Sequence, residues 1–285
     1  MSTAVMQNVS CYRFVDLNKK SLPNLQKDIL EKAQSLDLKG TVLLSTEGIN
    51  LFVSGFEENI QQFWEFLNAM KPFENLEFKL SASGHKPFTR MLVRIKKEII
   101  AMGCDEIKPG KKTAPHLVTK ELKKWYQEKK DMLVLDVRND YEISLGAFDQ
   151  AKDLDIHTFR AFPEKVKQLL KEHKSRPIVT YCTGGIRCEK AAQYMLDEGF
   201  EEVYQLEGGI LKYFENEGGD HYNGECFVFD KRTAVNAKLE ETATKQCYAC
   251  RAPIAKDYQS EDEICPHCGK NVNGKRFYAH QKKSA

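Results

Sequence analysis

Long apolar runs are missing from this sequence, and so is a strong excess of charge of either sign. No apolar stretch approaches the ~20 residues that a membrane-spanning helix needs. Residues 1–10 lack the basic-then-apolar pattern of a secretory signal. Lys and Arg total 43 against 41 Asp and Glu, so the formal net charge is only +2. We therefore expect a cytoplasmic protein without a membrane partner, whose overall charge does not by itself attract polyanions.

Two common redox signatures are also missing. No Gly-x-Gly-x-x-Gly sequence opens a predicted helix, so the fingerprint of dinucleotide-binding folds is absent. The seven histidines are scattered and do not combine with a carboxylate into a recognisable iron site. The sequence therefore predicts neither a flavin or nucleotide site nor a redox-active metal.

Cysteine, by contrast, is well represented, with nine residues. In a reducing compartment thiols act as nucleophiles or metal ligands rather than as disulfides. Cys247 and Cys250 form one Cys-x-x-Cys pair, and Cys265 and Cys268 form a second pair fourteen residues further on. Two such pairs can close a tetrahedral four-sulfur shell around zinc, which leaves no position for substrate. We predict a structural zinc site, against the alternative of four unliganded thiols.

One cysteine lies between a predicted strand, residues 177–181, and a predicted helix, residues 189–196. The turn between them consists of Cys182, Thr183, Gly184, Gly185, Ile186, Arg187 and Cys188. Backbone N–H groups of such a turn and the start of the helix can form an anion cradle that lowers the pKa of a thiol. Arg187 adds a positive charge close by. The pattern predicts a reactive thiolate at Cys182, against the alternative of a buried, inert cysteine.

The length of this turn narrows the chemistry. Four residues separate Cys182 from Arg187, whereas protein tyrosine phosphatases place five residues between their cysteine and arginine. The shorter turn resembles the active-site loop of rhodaneses, which holds a sulfur atom as a persulfide. On this resemblance Cys182 is the reactive residue of a rhodanese-type site.

Strands and helices alternate around the cysteine turn, which predicts a parallel α/β sheet. The apolar run at residues 132–137 is typical of a parallel strand covered on both faces. Residues 135–139 (LDVRN) and 206–210 (LEGGI) resemble the two signatures that flank the cysteine loop in rhodanese domains. In the first of these we expect Asp136 and Arg138 to pair and to brace the sheet edge rather than to react.

The periodicity of the first hundred residues predicts a different fold. Predicted strands lie at 11–15, 40–45, 51–53, 76–80 and 91–95, and predicted helices at 22–36 and 60–67. This β-α-β-β-α-β order, with one further strand, is the ferredoxin-like pattern. Later in the chain we predict helices at 116–130 and 162–173 and strands at 202–206 and 224–230. The predicted units are an N-terminal ferredoxin-like (acylphosphatase-like) domain at 1–103, a rhodanese-like catalytic domain at 104–220 that begins with a linker at 104–114, and a Cys-rich C-terminal module at 221–285.

A loop of the first unit and the strand after it combine basic residues with an aromatic ring. The residues concerned are Lys86, Phe88, Arg90, Arg94 and Lys96. Such a group suits single-stranded RNA, in which bases stack on aromatic rings and phosphates pair with cations. The alternative is the solvent face of an ordinary strand. A basic C-terminal tail could contact phosphates in the same way or could simply be solvated.

Several motifs together, and in this order, resemble the rhodanese-containing tRNA uridine hydroxylase family. They are EGIN at 47–50, VRIKKEI at 93–99, YCTGGIRC at 181–188, GECFVFD at 224–230 and the two Cys-x-x-Cys pairs. The resemblance implies oxygen-dependent hydroxylation of the wobble uridine, position 34 of certain tRNAs, to 5-hydroxyuridine. It implies molecular oxygen as co-substrate, the tRNA anticodon stem-loop as partner, and Cys182 as the active-site cysteine.

The residues by themselves leave the reaction open. A rhodanese-type thiol alone indicates a thiosulfate or persulfide sulfurtransferase that acts through a persulfide on Cys182. A non-catalytic scaffold is a third reading, which the intact Cys182 disfavours. The sequence does not identify the electron or sulfur donor.

Overall fold

The computed structural model describes residues 6–83, 88–230, 232–250, 252–254, 258 and 263–273. The helices are α1 Leu22–Ser35, α2 Glu57–Asn68, α3 Thr119–Gln127, α4 Asp140–Ile143, α5 Phe162–Lys167, α6 Leu170–His173, α7 Ile186–Asp197 and α8 Gly209–Glu217. Strands β1 to β7 are Met6–Phe14, Lys39–Ser45, Gly48–Phe56, Lys79–Ser83, Met91–Ile95, His116–Leu117 and Leu133–Asp136. Strands β8 to β15 are Gly146–Phe148, Ile178–Tyr181, Val203–Leu206, Tyr222–Gly224, Cys226–Phe227, Ala234–Val235, Lys245–Gln246 and Pro253–Ile254. Within these ranges no helix is long and apolar enough to cross a membrane.

The N-terminal unit is a five-stranded sheet in the order β4-β1-β3-β2-β5. Its elements follow one another as β-α-β-β-α-β, so the ferredoxin-like pattern is confirmed. Alternate side chains of a strand point to opposite faces. Val9 and Cys11 of β1 therefore lie in the apolar core together with Ile29 of α1 and Phe63 of α2. Both helices thus cover one face of this sheet.

The opposite face of the N-terminal sheet is largely polar, and we call it the polar face. It includes Asn8, Ser10 and Tyr12 of β1, Asn50 and Phe52 of β3, and Lys79 of β4, which the strand register places side by side. Lys79 Nζ donates to the carbonyl oxygens of Gly184 and Gly208 at 2.6 and 3.1 Å. The polar face is therefore docked on the cysteine turn of the central unit.

The central unit is built on a parallel sheet in the order β6-β10-β9-β7, as predicted. Leu133 and Leu135 of β7 point into one apolar cluster, with Phe162 of α5. Val134, between them, points into another cluster, with Ile210 of α8. Both faces are therefore covered, which explains the unbroken apolar run of this strand.

Two predicted helices differ in the structure. The helix predicted at 116–130 starts later, because His116–Leu117 forms β6 and pairs in parallel with Gln205 and Leu206 of β10. The helix predicted at 162–173 is broken into α5 and α6. Between them the N–H groups of Gln168 and Leu169 bond three residues back rather than four, which tightens the turn.

The segment after α8 adds to the central core. Tyr222, Cys226, Val228 and Val235 lie in the same apolar cluster as Phe148 of β8. The strand predicted at 224–230 is split, with β11 paired to β8 and β12 paired to β13. The domain boundaries at 103 and 220 stay predictions, and side chains beyond residue 220 share one cluster with the central sheet.

A buried ion-pair network joins the N-terminal unit to α7. Lys190 of α7 is 1 % exposed, and its Nζ lies 2.8 Å from Glu47 Oε2 and 2.9 Å from Glu98 Oε2. Glu98 also accepts the N–H groups of Met102 and Gly103. Glu47 belongs to the EGIN motif, so this motif serves to hold the two units together.

Candidate active site

The cysteine turn leaves the C-terminal end of β9 and enters α7 at Ile186. Gly185 has φ +99°, a conformation that favours glycine. A Cβ atom there would also lie 2.9 Å from Tyr12 Oη of the N-terminal unit. Gly185 therefore permits both the sharp turn and the close approach of the polar face.

The Cys182 sulfur lies on the floor of this turn and has no exposed surface. Its Sγ accepts a hydrogen bond from the Gly185 N–H at 3.1 Å. Burial raises the pKa of this thiol, but the Cys188 thiol, the Arg187 guanidinium and the N–H groups of Arg187 and Gly185 outweigh burial and lower its pKa. The predicted anion cradle is thus present, and it stabilises a thiolate.

Cys188 is the partner of this thiolate. It lies in the first turn of α7 and is fully buried, and its thiol lowers the pKa of Cys182. Burial and the nearby Cys182 raise the pKa of Cys188, so it stays a neutral donor. Sequence reasoning had placed Cys188 in the loop without this role. The only available signal in the sequence was its position one residue after Arg187, at the end of the turn that begins at Cys182.

Removing the Cys188 donor should raise the pKa of Cys182, because a hydrogen bond to a charged group stabilises the charged form. In Cys188→Ala we expect the pH profile of Cys182 alkylation to move upward by about one unit. Cys188→Ser keeps a donor and should move it less. The measurement is the iodoacetamide rate of the Cys182 peptide by mass spectrometry between pH 5 and pH 9. Coincident profiles for wild type and Cys188→Ala would contradict this role.

Arg187 is held by a carboxylate that the sequence analysis missed. Its guanidinium pairs with Glu142 of α4, with Nη2 to Oε1 at 2.7 Å, and both side chains are buried. Burial raises the pKa of Glu142, but the Arg187 charge outweighs burial and lowers it. Thr183 Oγ1 also donates to Glu142 at 3.3 Å. The sequence did carry a signal, because Asn139 and Glu142 form the capping box that starts α4.

Asp136 and Arg138 are brought together as a fully buried pair. Arg138 Nε and Nη2 donate to Asp136, at 3.0 and 2.6 Å respectively, and Nη2 also donates to the Gly146 carbonyl at 2.6 Å. The pair ties the end of β7 to the start of β8. This placement agrees with a bracing role rather than with contact to a substrate.

The polar face of the N-terminal unit covers the cysteine turn. Tyr12 Oη donates to Glu189 of α7 at 3.3 Å, and Lys79 reaches the Gly184 carbonyl. Burial lowers the pKa of Lys79, whereas the nearby Cys182 raises it. Neither Tyr12 nor Lys79 was among the predicted site residues, because nothing local in β1 or β4 indicates what the strands will cover.

The predicted RNA contacts are spread over the N-terminal sheet. Lys86 lies outside the described residues, and Phe88 is partly buried. Arg90, Arg94 and Lys96 are exposed, on or beside β5 at the opposite edge of the sheet from β4. The structure therefore places an exposed basic strip away from the cysteine turn and leaves its contact with RNA a prediction.

The four cysteines of the C-terminal module come together as predicted. All four sulfurs lie within 4.8 Å of one another. Cys247 and Cys268 are 3.9 Å apart, and Cys250 and Cys265 are 3.7 Å apart. A tetrahedron with metal–sulfur bonds of about 2.3 Å has edges of about 3.8 Å. The donor set and its spacing thus fit a single four-coordinate metal ion.

Comparisons with known proteins cover almost the whole chain. A family model described as the UPF0176 acylphosphatase like domain matches residues 6–99, and one described as the rhodanese-like domain matches residues 118–216. A protein of Cupriavidus pinatubonensis named tRNA uridine(34) hydroxylase is 45% identical over 271 residues, which cover 92% of this chain and 95% of that protein. This chain belongs to the tRNA uridine(34) hydroxylase family.

Other members of the tRNA uridine(34) hydroxylase family are similar to the same extent. The protein of Ralstonia nicotianae is 46% identical over 271 residues, covering 92% of this chain and 95% of its own. The protein of Burkholderia mallei is 43% identical over 281 residues, which cover 94% of this chain and 93% of that protein. The resemblance drawn from the sequence motifs is confirmed, and so is the combination of an acylphosphatase-like domain, a rhodanese domain and a cysteine cluster.

Proposed function

We propose that this protein is an oxygen-dependent tRNA hydroxylase that converts uridine 34 to 5-hydroxyuridine, with Cys182 as the reacting residue. The observation that carries the proposal is the Cys182 sulfur held by the Gly185 N–H in a rhodanese-type turn, in a chain of which 92% aligns with a tRNA uridine(34) hydroxylase. A stabilised thiolate is a nucleophile at neutral pH. The fold alone would not assign the activity.

The Cys182 thiolate can activate uracil for hydroxylation by adding to its ring. Addition of the Cys182 sulfur to C6 places negative charge on C5 and O4, and C5 is the carbon that gains the hydroxyl group. Molecular oxygen supplies one atom to C5, and the other leaves as water with two protons and two electrons from an external donor. Loss of the C5 proton and departure of the sulfur from C6 restore the ring.

A sulfurtransferase is the second candidate, and the same thiolate favours it. Attack of Cys182 on the outer sulfur of thiosulfate would form a persulfide and release sulfite, and the persulfide sulfur would pass to an acceptor. The two candidates differ in what reaches the RNA, because one adds oxygen and the other adds sulfur.

The test is to incubate the purified full-length protein with tRNA from cells that lack this protein. The reaction is run once in air and once without oxygen, and an extract of the same cells supplies the electrons. Nucleosides are then analysed by mass spectrometry. We expect uridine at position 34 to gain one oxygen atom only in air. A gain of sulfur would favour the sulfurtransferase. If the tRNA stays unchanged and the protein instead releases sulfite from added thiosulfate, the second proposal replaces the first.

The tRNA contact is proposed to involve the anticodon stem-loop. Position 34 lies in a loop whose bases are partly unstacked, and the flanking phosphates need cations away from the reacting base. Arg90, Arg94 and Lys96 form an exposed strip suited to that purpose. Phosphate contacts of this kind weaken as salt concentration rises.

We further propose that the metal of the four-cysteine cluster is a structural zinc. Four thiolates at tetrahedral spacing are the usual zinc shell, and no ligand position is left for a substrate. Among the described residues of this module the apolar neighbours are few, and Ile254 and Val272 are the main side chains packed on the sulfurs. The module therefore depends on the metal for much of its stability.

Metal analysis should find about one zinc per chain. Cys250→Ser removes one ligand and should reduce zinc content strongly and open the C-terminal module to protease. The control is Cys104→Ser, at a half-buried cysteine outside the cluster, which should leave zinc content unchanged. A zinc-free wild-type protein with a protease-resistant module would contradict this proposal.

A further inference from the structure

A cavity of about 600 Å³ lies between the polar face of the N-terminal sheet, the start of α8 and the segment around residues 228–239. It borders the cysteine turn at Thr183, the residue after Cys182, and it borders the start of α8 at Gly208. Its volume is within the range of about 300–1,000 Å³ in which proteins enclose small ligands. The volume is sufficient for a single nucleoside, and Cys182 lies one residue before the lining residue Thr183.

One wall of the cavity carries a buried amide without a partner. Asn8 of β1 is 4 % exposed, and among the described residues neither its Nδ2 nor its Oδ1 makes a hydrogen bond. Because Val9 and Cys11 point into the core, Asn8 points to the polar face and into the cavity. A buried amide without hydrogen bonds costs stability, so its retention needs an explanation such as a ligand.

A second unpartnered group comes from a distant part of the chain. Arg232 is buried and pairs with Asp230 through Nε and Nη2, while its Nη1 has no partner among the described residues. Both Asp230 and Arg232 line the cavity. Two segments more than 200 residues apart in sequence thus each place a residue with a buried, unpartnered polar atom in the wall of the same cavity.

The charges of the cavity favour a neutral ligand over an anion. Arg232 is neutralised by Asp230, and Lys212 pairs with Glu215 at 2.9 Å. Lys79 is occupied by the backbone carbonyls of the turn. With Arg13 included, the Lys and Arg side chains that line the cavity are equal in number to the Asp and Glu side chains. The cavity therefore has no excess positive charge that would attract a free phosphate or thiosulfate.

Aromatic rings give the cavity a surface for stacking. Phe229 is 45 % exposed, and its ring lies 6.4 Å from that of Phe52 on the polar face. Both line the cavity. Bases stack on such rings independently of sequence, and enzymes that modify a base take it out of the stack into a pocket.

We propose that this cavity binds the extruded uracil of the RNA substrate and that the Asn8 amide pairs with its N3–H and a neighbouring carbonyl. An amide offers one acceptor and two donors, which match the donor and acceptor of that edge of uracil. Phe229 stacks on the base, and the phosphates remain outside. This inference rests on the proposed function and divides base recognition between the N-terminal domain, through Asn8, and the segment that carries Phe229.

The test pairs a protein change with a change in the RNA. Anticodon stem-loops carrying uridine or 3-methyluridine at position 34 are compared, because the methyl group removes the N3–H donor. Binding of each to the full-length protein is measured by fluorescence anisotropy, and hydroxylation of the corresponding tRNAs is measured as kcat/KM. The variants are Asn8→Ala and, as matched control, Asn24→Ala on the exposed face of α1.

In wild type and Asn24→Ala we expect the methyl group to weaken binding about tenfold, the size of one good hydrogen bond. In Asn8→Ala uridine RNA should bind about tenfold more weakly, and the methyl group should then make no further difference. The melting temperature of Asn8→Ala should not fall, because the amide makes no hydrogen bond that its removal would break.

The outcomes separate this inference from the proposed function. If the wild type hydroxylates tRNA and the methyl group weakens RNA binding equally in wild type and Asn8→Ala, the Asn8 assignment is overturned and the proposed function stands. No hydroxylation, but a methyl effect that disappears in Asn8→Ala, would support the base pocket and overturn the hydroxylase. Binding that neither change affects would overturn the pocket whatever the reaction is.

Discussion

Replacing Cys182 by serine should abolish formation of 5-hydroxyuridine, with a loss of roughly 10³-fold or more in kcat/KM. The hydroxyl group is a far weaker nucleophile than the thiolate that the Gly185 N–H and the Cys188 thiol stabilise. The substitution is nearly isosteric, so the turn and the fold should persist. The measurement is nucleoside mass spectrometry of tRNA treated with equal amounts of each protein.

The matched control for this experiment is Cys104→Ser, which makes the same chemical change at a half-buried cysteine away from the turn. It should keep full activity. Binding of the tRNA should be equal in wild type, Cys182→Ser and Cys104→Ser, because each substitution is nearly isosteric and leaves the surface that meets the RNA unchanged. Full activity in Cys182→Ser would remove the thiolate from the reaction and leave the rhodanese turn without a catalytic role.

Replacing Lys190 by methionine should lower the free energy of unfolding by about 3–5 kcal/mol, because Glu47 then stays buried without its cation and Glu98 keeps only the Arg160 guanidinium, 3.8 Å away. Lys190 Nζ lies within 3 Å of both Glu47 and Glu98, and the side chains of these glutamates are 12 % and 5 % exposed. Urea unfolding followed by circular dichroism measures the effect. Activity should fall as well, since this network holds the N-terminal unit over the turn.

Two further variants show whether burial is the cause. Lys27→Met breaks the exposed pair with Glu31, 3.9 Å apart, and should cost at most about 1 kcal/mol. Adding Glu47→Gln and Glu98→Gln to Lys190→Met removes the unpaired charges and should recover part of the loss. A Lys190→Met protein as stable as Lys27→Met would show that the network contributes little.

The sequence determined those features that depend on short spacing along the chain. The β-α-β-β-α-β order follows from apolar periodicity, and the four-sulfur cluster from two Cys-x-x-Cys pairs. The cradle at Cys182 follows from two glycines between a strand and a helix. Boundaries were less certain, as at His116–Leu117, where pairing with β10 outweighed the helical pattern.

Only the tertiary structure decided what surrounds the thiolate. Lys79 meets Gly184 across 105 residues of sequence, and Lys190 meets Glu47 across 143. No local pattern in β1 indicates that Asn8 will be buried at a cavity beside the cysteine turn, with no hydrogen-bond partner in the part of the chain that the structure describes. Such contacts arise from the docking of one sheet's polar face on another domain, and docking depends on the shape and charge of whole surfaces. The local sequence fixes which face of a strand is polar but not what that face will meet.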